Sequence, residues 1–203
     1  MITADNITAL ILAGGKSRRM GGRDKGLLPF DGGILIGRVI EQVRPQVGAI
    51  LISANRHQNE YAQFGCPVLT DPLDDFQGPL AGFLAGLQHQ RTDWLLTLPC
   101  DGPVVVPDLA ARLAAGCSEG IEIAVAHDGS RLQPVYTLMH RDVLPGLQQA
   151  IAEGERKIDR WFPRQRWVSV DFSDAPEQFA NINTPDDYAR IGEHALSEEP
   201  GRV

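Results

Sequence analysis

Short apolar segments alternate with longer segments of helical periodicity along this chain, and the alternation restricts the folds open to it. We predict strands at residues 7–12, 49–53, 68–70, 94–98, 121–126, 134–138 and 167–171. Helices are predicted between and after them at residues 35–43, 57–64, 80–90, 107–115, 141–153, 155–162 and 185–195. Several strand segments are continuously apolar, as expected for strands that helices cover on both faces. The pattern predicts an α/β fold with a three-layer, doubly wound, mainly parallel sheet.

The chain shows no internal repeat, low-complexity linker or domain boundary, so we expect residues 1–196 to form one domain. Residues 197–203 are expected to be a disordered tail. In a doubly wound sheet, ligands bind beyond the carboxyl ends of the strands. We therefore expect the loops after Leu12, Ser53 and Leu98 to meet at one edge of the sheet and to carry the functional site.

The loop after the first predicted strand combines glycines with a high local positive charge. Five of the 19 Lys and Arg residues lie within residues 16–25, in a chain of formal net charge −7: Lys16, Arg18, Arg19, Arg23 and Lys25. Glycines at positions 14, 15, 21 and 22 let backbone N–H groups close around phosphate oxygens. Neither a Walker A loop nor a GxGxxG motif is present, because position 10 is leucine and the glycines at 14 and 15 are adjacent. The loop predicts a polyphosphate site of another kind.

Composition excludes several other functions. A net charge of −7 argues against non-specific nucleic-acid binding, although a small phosphorylated ligand on one basic loop remains compatible with it. The three cysteines have no zinc-binding or disulfide spacing, which favours free thiols in a reducing compartment. The amino-terminal segment has no basic region before its apolar run, and no apolar run approaches the roughly 20 residues that span a bilayer. We expect a cytoplasmic protein with no membrane partner.

Residues 12–25, LAGGKSRRMGGRDK, resemble the opening signature of the MobA-like nucleotidyltransferases, which have a Rossmann-like nucleotidyltransferase fold. Four later segments occur in the family's order: ANRH at 54–57, GPLAG at 78–82, PCD at 99–101 and NINTP at 181–185. They are most similar to the branch of the family that transfers GMP from GTP to molybdenum-loaded molybdopterin. That reaction makes the molybdopterin guanine dinucleotide cofactor and releases pyrophosphate. The resemblance also implies hand-over from a molybdenum insertase and to apo-molybdoenzymes.

Three other functions remain open at this stage. A relative of the same fold could use CTP with the same acceptor, or could act on a sugar phosphate or polyol phosphate. The phosphate loop cannot separate these from a guanylyltransferase, because it contacts only the triphosphate. A nucleotide-binding module without catalysis is the third alternative, and the joint presence of Arg19, Lys25 and Asp101 argues against it.

The resemblance implies three catalytic residues. Arg19 is expected to bind the leaving pyrophosphate, because a guanidinium matches phosphate geometry. Lys25 is expected at the α-phosphate, where a point charge strengthens its contact as the transition state forms. Asp101, just beyond the strand at 94–98, is the expected ligand of Mg²⁺, the one cofactor implied.

Further residues are expected to bind the substrates. The backbone around the phosphates comes from residues 12–15, namely Leu12, Ala13, Gly14 and Gly15. Asp71 is expected to accept hydrogen bonds from guanine, and Asn55 is a candidate for ribose or base contact. The family usually has asparagine two positions before Asn55, where this chain has the shorter Ser53. The turn at Gly78, Pro79, Leu80 and Gly82 is expected to approach the nucleotide or the pterin with its backbone. Asn181 and Asn183 are candidates for binding the acceptor, or else they form a turn before the last helix.

Overall fold

The structure, a computed structural model, describes residues 1–13, 24–71, 78–118, 120–182, 184 and 186–187. Its strands are β1 (Ile7–Leu12), β2 (Pro29–Phe30), β3 (Gly33–Ile34), β4 (Ala49–Ser53), β5 (Val68–Leu69), β6 (Trp94–Pro99), β7 (Ile123–His127), β8 (Leu132–His140) and β9 (Trp167–Asp171). Its α-helices are α1 (Leu35–Val43), α2 (Gln58–Ala62), α3 (Pro79–His89), α4 (Leu109–Gly116), α5 (Leu144–Ala152) and α6 (Ile158–Trp161).

The described residues form one seven-stranded sheet in the order β5-β4-β1-β6-β8-β7-β9. β1 pairs in parallel with both β4 and β6, β4 with β5, and β7 with β9. β8 alone runs antiparallel to its two neighbours, β6 and β7. The predicted α/β fold with a mainly parallel sheet is confirmed.

Helices cover both faces of the sheet, which confirms the three predicted layers. One core cluster joins α1 and α4 to one face through side chains such as Ile36 and Leu113. The other joins α3, α5 and α6 to the opposite face through side chains such as Phe83 and Trp161. Along β1, Ala9 and Ile11 belong to the first cluster and Leu10 to the second, as the alternation of side chains along a strand requires.

Several predicted boundaries are wrong for local reasons. The predicted helix at 57–64 is shorter because His57 before it and Gly65 after it have left-handed φ values of 52° and 70°. The helix predicted at 141–153 begins with a 3₁₀ turn at Arg141–Val143, so α5 starts only at Leu144. The helix predicted at 155–162 starts only at Ile158, and a 3₁₀ turn at Phe162–Arg164 follows α6. The strand predicted at 134–138 is longer, because β8 pairs with β7 as an antiparallel hairpin.

The hairpin of β2 and β3 was not predicted. Its two central residues, Asp31 and Gly32, have φ of 49° and 71°, values typical of a tight hairpin turn. The helix predicted at 185–195 lies outside the described residues except at 186–187, and so does the predicted tail at 197–203; the single domain at 1–196 stays a prediction. Within the described ranges, no helix has the length and apolar character needed to cross a membrane.

Candidate active site

The carboxyl ends of β4, β1 and β6 lie side by side. Leu12 at the end of β1 is in register with Ser53 of β4 and Pro99 of β6. The backbone pairing continues beyond the strands, because Ala13 N donates to Ser53 O at 2.8 Å and Cys100 N donates to Leu12 O at 3.1 Å. The ends of the three predicted strands therefore meet at one edge of the sheet, whereas residues 14–23 of the loop after Leu12 lie outside the described residues.

Lys25 and Asp101 form an ion pair at this edge. Lys25 Nζ donates to Asp101 Oδ2 at 2.9 Å, and the two side chains are only 17% and 16% exposed. Lys25 begins a 3₁₀ turn at Lys25–Leu27, whereas Asp101 is the second residue after β6. The tertiary structure thus joins two predicted catalytic residues that are 76 positions apart in the chain.

Asp24 is the residue before Lys25. Its carboxylate contacts Tyr61 in α2 and His57, the residue that precedes α2. Tyr61 Oη donates to Asp24 Oδ1 at 2.5 Å, and His57 Nδ1 lies 3.0 Å from Asp24 Oδ2. Burial, above all, raises the pKa of Tyr61 far above its usual range, so the phenol stays protonated and acts as the donor. Sequence reasoning missed this contact; the only signal was a single acid within the basic loop.

Asp71 is the centre of a second polar cluster at the same edge. Asn55 binds it twice, with Nδ2 donating to Asp71 Oδ2 at 2.7 Å and Oδ1 accepting from Asp71 N–H at 2.8 Å. Ser53 Oγ donates to Asp71 Oδ1 at 3.3 Å. The carboxylate is thereby fixed in one orientation. Asn55 was predicted to contact the nucleotide; in the structure its amide is bound to Asp71.

The start of α3 packs against the ends of β1 and β4. Gly78 has φ of 83° and precedes Pro79, which occupies the first turn. A Cβ on Gly82 would lie 2.7 Å from Leu12 Cδ2 and 3.1 Å from Ser53 Oγ, so only glycine fits there without movement. The Leu80 side chain is fully buried in the core, which leaves only its backbone for any ligand contact.

The segment that contains Asn181 lies next to Asp101. Ile182 N donates to the backbone oxygen of Asp101 at 2.8 Å. A Cβ on Gly102 would lie 3.3 Å from Asn181 Oδ1, so this side chain lies beside the loop that carries Asp101. Four predicted site residues lie outside the described residues: Gly14, Gly15, Arg19 and Asn183.

A divalent cation fits this donor set only if the substrate supplies further ligands. In the described part of the chain, no group of three or more His, Cys, Asp or Glu side chains could hold a metal ion. Mg²⁺ usually binds through one or two carboxylates together with substrate phosphates, and Asp101 can supply one carboxylate. One of its oxygens binds Lys25, and a carboxylate offers about four lone-pair positions in all.

Solved structures share this fold. Molybdopterin-guanine dinucleotide biosynthesis protein A from Archaeoglobus fulgidus matches with a TM-score of 0.79 at 24% identity, over 94% of this chain and 99% of that one. A nucleotidyl transferase from Methanothermobacter matches with a TM-score of 0.78 at 23% identity, over 95% and 99%. These matches show that the chain has the same mainly parallel, three-layer α/β fold as those two proteins.

Sequence comparison gives the family. The model of the MobA-like NTP transferase domain matches residues 9–168. A molybdenum cofactor guanylyltransferase from Vibrio cholerae is 47% identical over 90% of both chains, and one from Photobacterium profundum is 44% identical over 95% of this chain and 99% of its own. The chain belongs to the MobA-like NTP transferase family, which confirms the resemblance carried by residues 12–25.

Proposed function

We propose that this protein transfers GMP from GTP to molybdenum-loaded molybdopterin, forming molybdopterin guanine dinucleotide and releasing pyrophosphate. The relatives named molybdenum cofactor guanylyltransferase support this proposal across nearly the whole chain. The observation that carries it is the order of groups along one edge of the sheet. Asp71 follows β5, the glycine-rich loop follows β1, and Asp101 follows β6, with the strands in the order β5-β4-β1-β6. The groups proposed to contact the base, the triphosphate and the metal ion therefore lie along one edge, where a single bound nucleotide can reach them.

The reaction needs positioning and charge rather than a protein nucleophile. A phosphate oxygen of the acceptor attacks the α-phosphorus of GTP, and the bond from that phosphorus to the bridging oxygen of pyrophosphate breaks. Negative charge grows on the α-phosphoryl oxygens and on the leaving group. Lys25 supplies a fixed positive charge beside those oxygens, and Arg19 binds the leaving pyrophosphate.

We also propose that Mg²⁺ is the cofactor and that Asp101 is its protein ligand. When bound, the ion neutralises charge on the phosphates of the nucleotide. Asp101 also orients Lys25 through the 2.9 Å ion pair, so the same carboxylate serves both cations. Asn181, beside the Asp101 loop, is proposed to contact the acceptor phosphate, and Asn183 is proposed for the same role.

Base selection rests on Asp71. A carboxylate accepts two hydrogen bonds from N1–H and the exocyclic amine of guanine, whereas adenine lacks that pair of donors. Asn55 and Ser53 hold the carboxylate through contacts of 2.7 and 3.3 Å, so it need not reorganise when guanine binds. Asn55 is thus proposed to support nucleotide binding through Asp71.

Cellular context is part of the same proposal. We propose that the protein works in the cytoplasm, receives molybdenum-loaded molybdopterin from an insertase and delivers the dinucleotide to apo-molybdoenzymes. Mixing each purified partner with this protein and measuring cofactor transfer in the presence of a trap for free cofactor would test direct delivery.

Pyrophosphate release tests the function. The purified protein is incubated with Mg²⁺ and molybdenum-loaded molybdopterin, and GTP, CTP, ATP and UTP are compared one at a time. Release with GTP alone, absent in Asp101→Ala, supports the proposal. Release with CTP instead would overturn the role of Asp71 but keep the phosphate chemistry. No release with any nucleotide would favour a module that binds nucleotides without catalysis.

A further inference from the structure

Asp24 is the one acid in the basic stretch of residues 16–25, yet its side chain is less exposed than those of Lys25 and Asp101. Its side chain is 7% exposed, although its neighbours in the sequence, Arg23 and Lys25, are cations. Its oxygens bind Tyr61 and His57, so the carboxylate is turned toward α2. A buried carboxylate is costly unless it is hydrogen-bonded, and these two contacts meet that requirement.

The Lys25 side chain extends from the same short segment in a different direction from that of Asp24. Its ammonium binds Asp101 beyond the end of β6, whereas the carboxylate of Asp24 binds the α2 side. Adjacent side chains therefore connect one turn of backbone to two separate parts of the fold. The turn is closed by Leu27 N donating to Asp24 O at 3.3 Å and by Leu28 N donating to Lys25 O at 3.1 Å.

Gly26 shows how closely this turn is held. A Cβ at Gly26 would lie 2.6 Å from Tyr61 Oη and 3.2 Å from Cys100 Sγ. The side of Gly26 on which a Cβ would lie thus faces both the Tyr61 hydroxyl and Cys100, the residue that precedes Asp101. A shift of this turn toward that side would meet those groups.

The two partners of Asp24 are themselves fixed. Tyr61 is fully buried in the core cluster that includes α1 and α4. His57 has φ of 52° and ψ of 36° at the start of α2, a conformation that residues other than glycine seldom adopt. Such backbone outliers concentrate at functional sites, and this one lies where it places the imidazole beside Asp24.

We propose that Asp24, held by Tyr61 and His57, is a second positioning residue for Lys25, beside Asp101. It fixes the end of the glycine-rich loop on the α2 side, so that the ammonium stays beside Asp101 at the place of the α-phosphate. Tyr61 and His57 act through Asp24 and do not touch the substrate. This inference rests on the proposed function only in assuming that Lys25 contacts a nucleoside triphosphate.

A double-mutant cycle on GTP binding tests the inference. The four proteins are the wild type, Tyr61→Phe, Lys25→Ala and the double variant, and the dissociation constant of GTP with Mg²⁺ is measured by calorimetry. Tyr61→Phe removes the hydroxyl and keeps the buried ring. If Tyr61 positions Lys25 by holding Asp24, its substitution weakens GTP binding about tenfold in the wild type and less than about twofold in Lys25→Ala. Equal factors in both backgrounds, or no effect in the wild type, would overturn the proposal.

A matched control separates positioning from stability. Thr8→Val also removes a buried hydroxyl, which lies 2.7 Å from Thr92 Oγ1. Thr8 is near the start of β1, at the edge of the sheet opposite to the candidate site. It should lower the melting temperature as Tyr61→Phe does and leave the GTP dissociation constant unchanged. His57→Ala provides a second cycle if Tyr61→Phe does not fold, because the His57 side chain is 41% exposed. An additive result in that cycle would also overturn the proposal.

Pyrophosphate release by the same wild-type protein distinguishes the two proposals. Turnover of GTP with an additive cycle would overturn the role of Asp24 and keep the guanylyltransferase function. A non-additive cycle without turnover would support the role of Asp24 in a nucleotide-binding protein and overturn the proposed function. If the wild type bound no nucleoside triphosphate at all, both would be wrong.

Discussion

Replacement of Gly82 by alanine would show whether the start of α3 shapes the nucleotide site. The new Cβ would lie 2.7 Å from Leu12 Cδ2 and 3.1 Å from Ser53 Oγ, and Ser53 in turn contacts Asp71. Gly86, on the same buried helix, offers a matched control. A Cβ there would lie 2.7 Å from Leu10 Cδ2 and 2.9 Å from Leu95 Cδ2, which are core leucines away from the edge.

The stability effect of the two substitutions should be similar. Overpacking a buried position costs about 1–3 kcal/mol, and alanine favours a helix over glycine by about 1 kcal/mol, which leaves a net loss of about 0–2 kcal/mol. For a chain of this size, that corresponds to a decrease of about 0–8 °C in the melting temperature. Thermal melting followed by circular dichroism measures this part.

Of the two substitutions, only Gly82→Ala should lower the catalytic activity. Displacement of Leu12 and Ser53 moves groups beside the phosphate loop and Asp71, so we expect kcat/KM for GTP to fall about tenfold in the pyrophosphate-release assay. Gly86→Ala should keep kcat/KM within about twofold of the wild type. A similar loss in both variants, or an unchanged kcat/KM in a Gly82→Ala protein with a lowered melting temperature, would refute the placement of the nucleotide against α3.

The remaining predictions concern charges and hydrogen bonds of the site. Lys25→Ala and Asp101→Asn should each lower kcat by about 100-fold or more, and thermal melting should show the fold retained. Lys25→Ala removes positive charge that stabilises the transition state, whereas Asp101→Asn removes the carboxylate proposed to hold Mg²⁺ and Lys25. Chelation with EDTA should abolish pyrophosphate release, and added Mg²⁺ should restore it; activity that survives chelation would contradict the metal role of Asp101. Asp71→Asn should reduce the preference for GTP over ATP by about tenfold or more, measured as the ratio of kcat/KM values. Asn55→Ala should reduce the same preference less, because Ser53 still contacts Asp71; an unchanged preference in both variants would remove Asp71 from base recognition.

Much of the fold could be predicted from local pattern. The bounds of β1, β4, β9 and α1 agree with the predicted segments, because continuous apolar runs and helical periodicity are strong there. The β2–β3 hairpin was missed, since its strands have two residues each and give no periodic signal. The orientation of β8 could not be predicted either, because a strand's direction depends on which neighbour it pairs with.

For the site, the sequence by itself determined the family, the glycine-rich basic loop and the residue types of Lys25, Asp71 and Asp101, since motif spacing and strand ends are local properties. Only the tertiary structure decided which of these side chains meet. The 2.9 Å pair of Lys25 with Asp101 and the contacts of Asp24 with α2 join positions 33 to 76 residues apart. The binding of Asn55 to Asp71 likewise depends on the parallel pairing of β4 with β5. Such contacts follow from packing and strand order, which no short segment of the chain encodes.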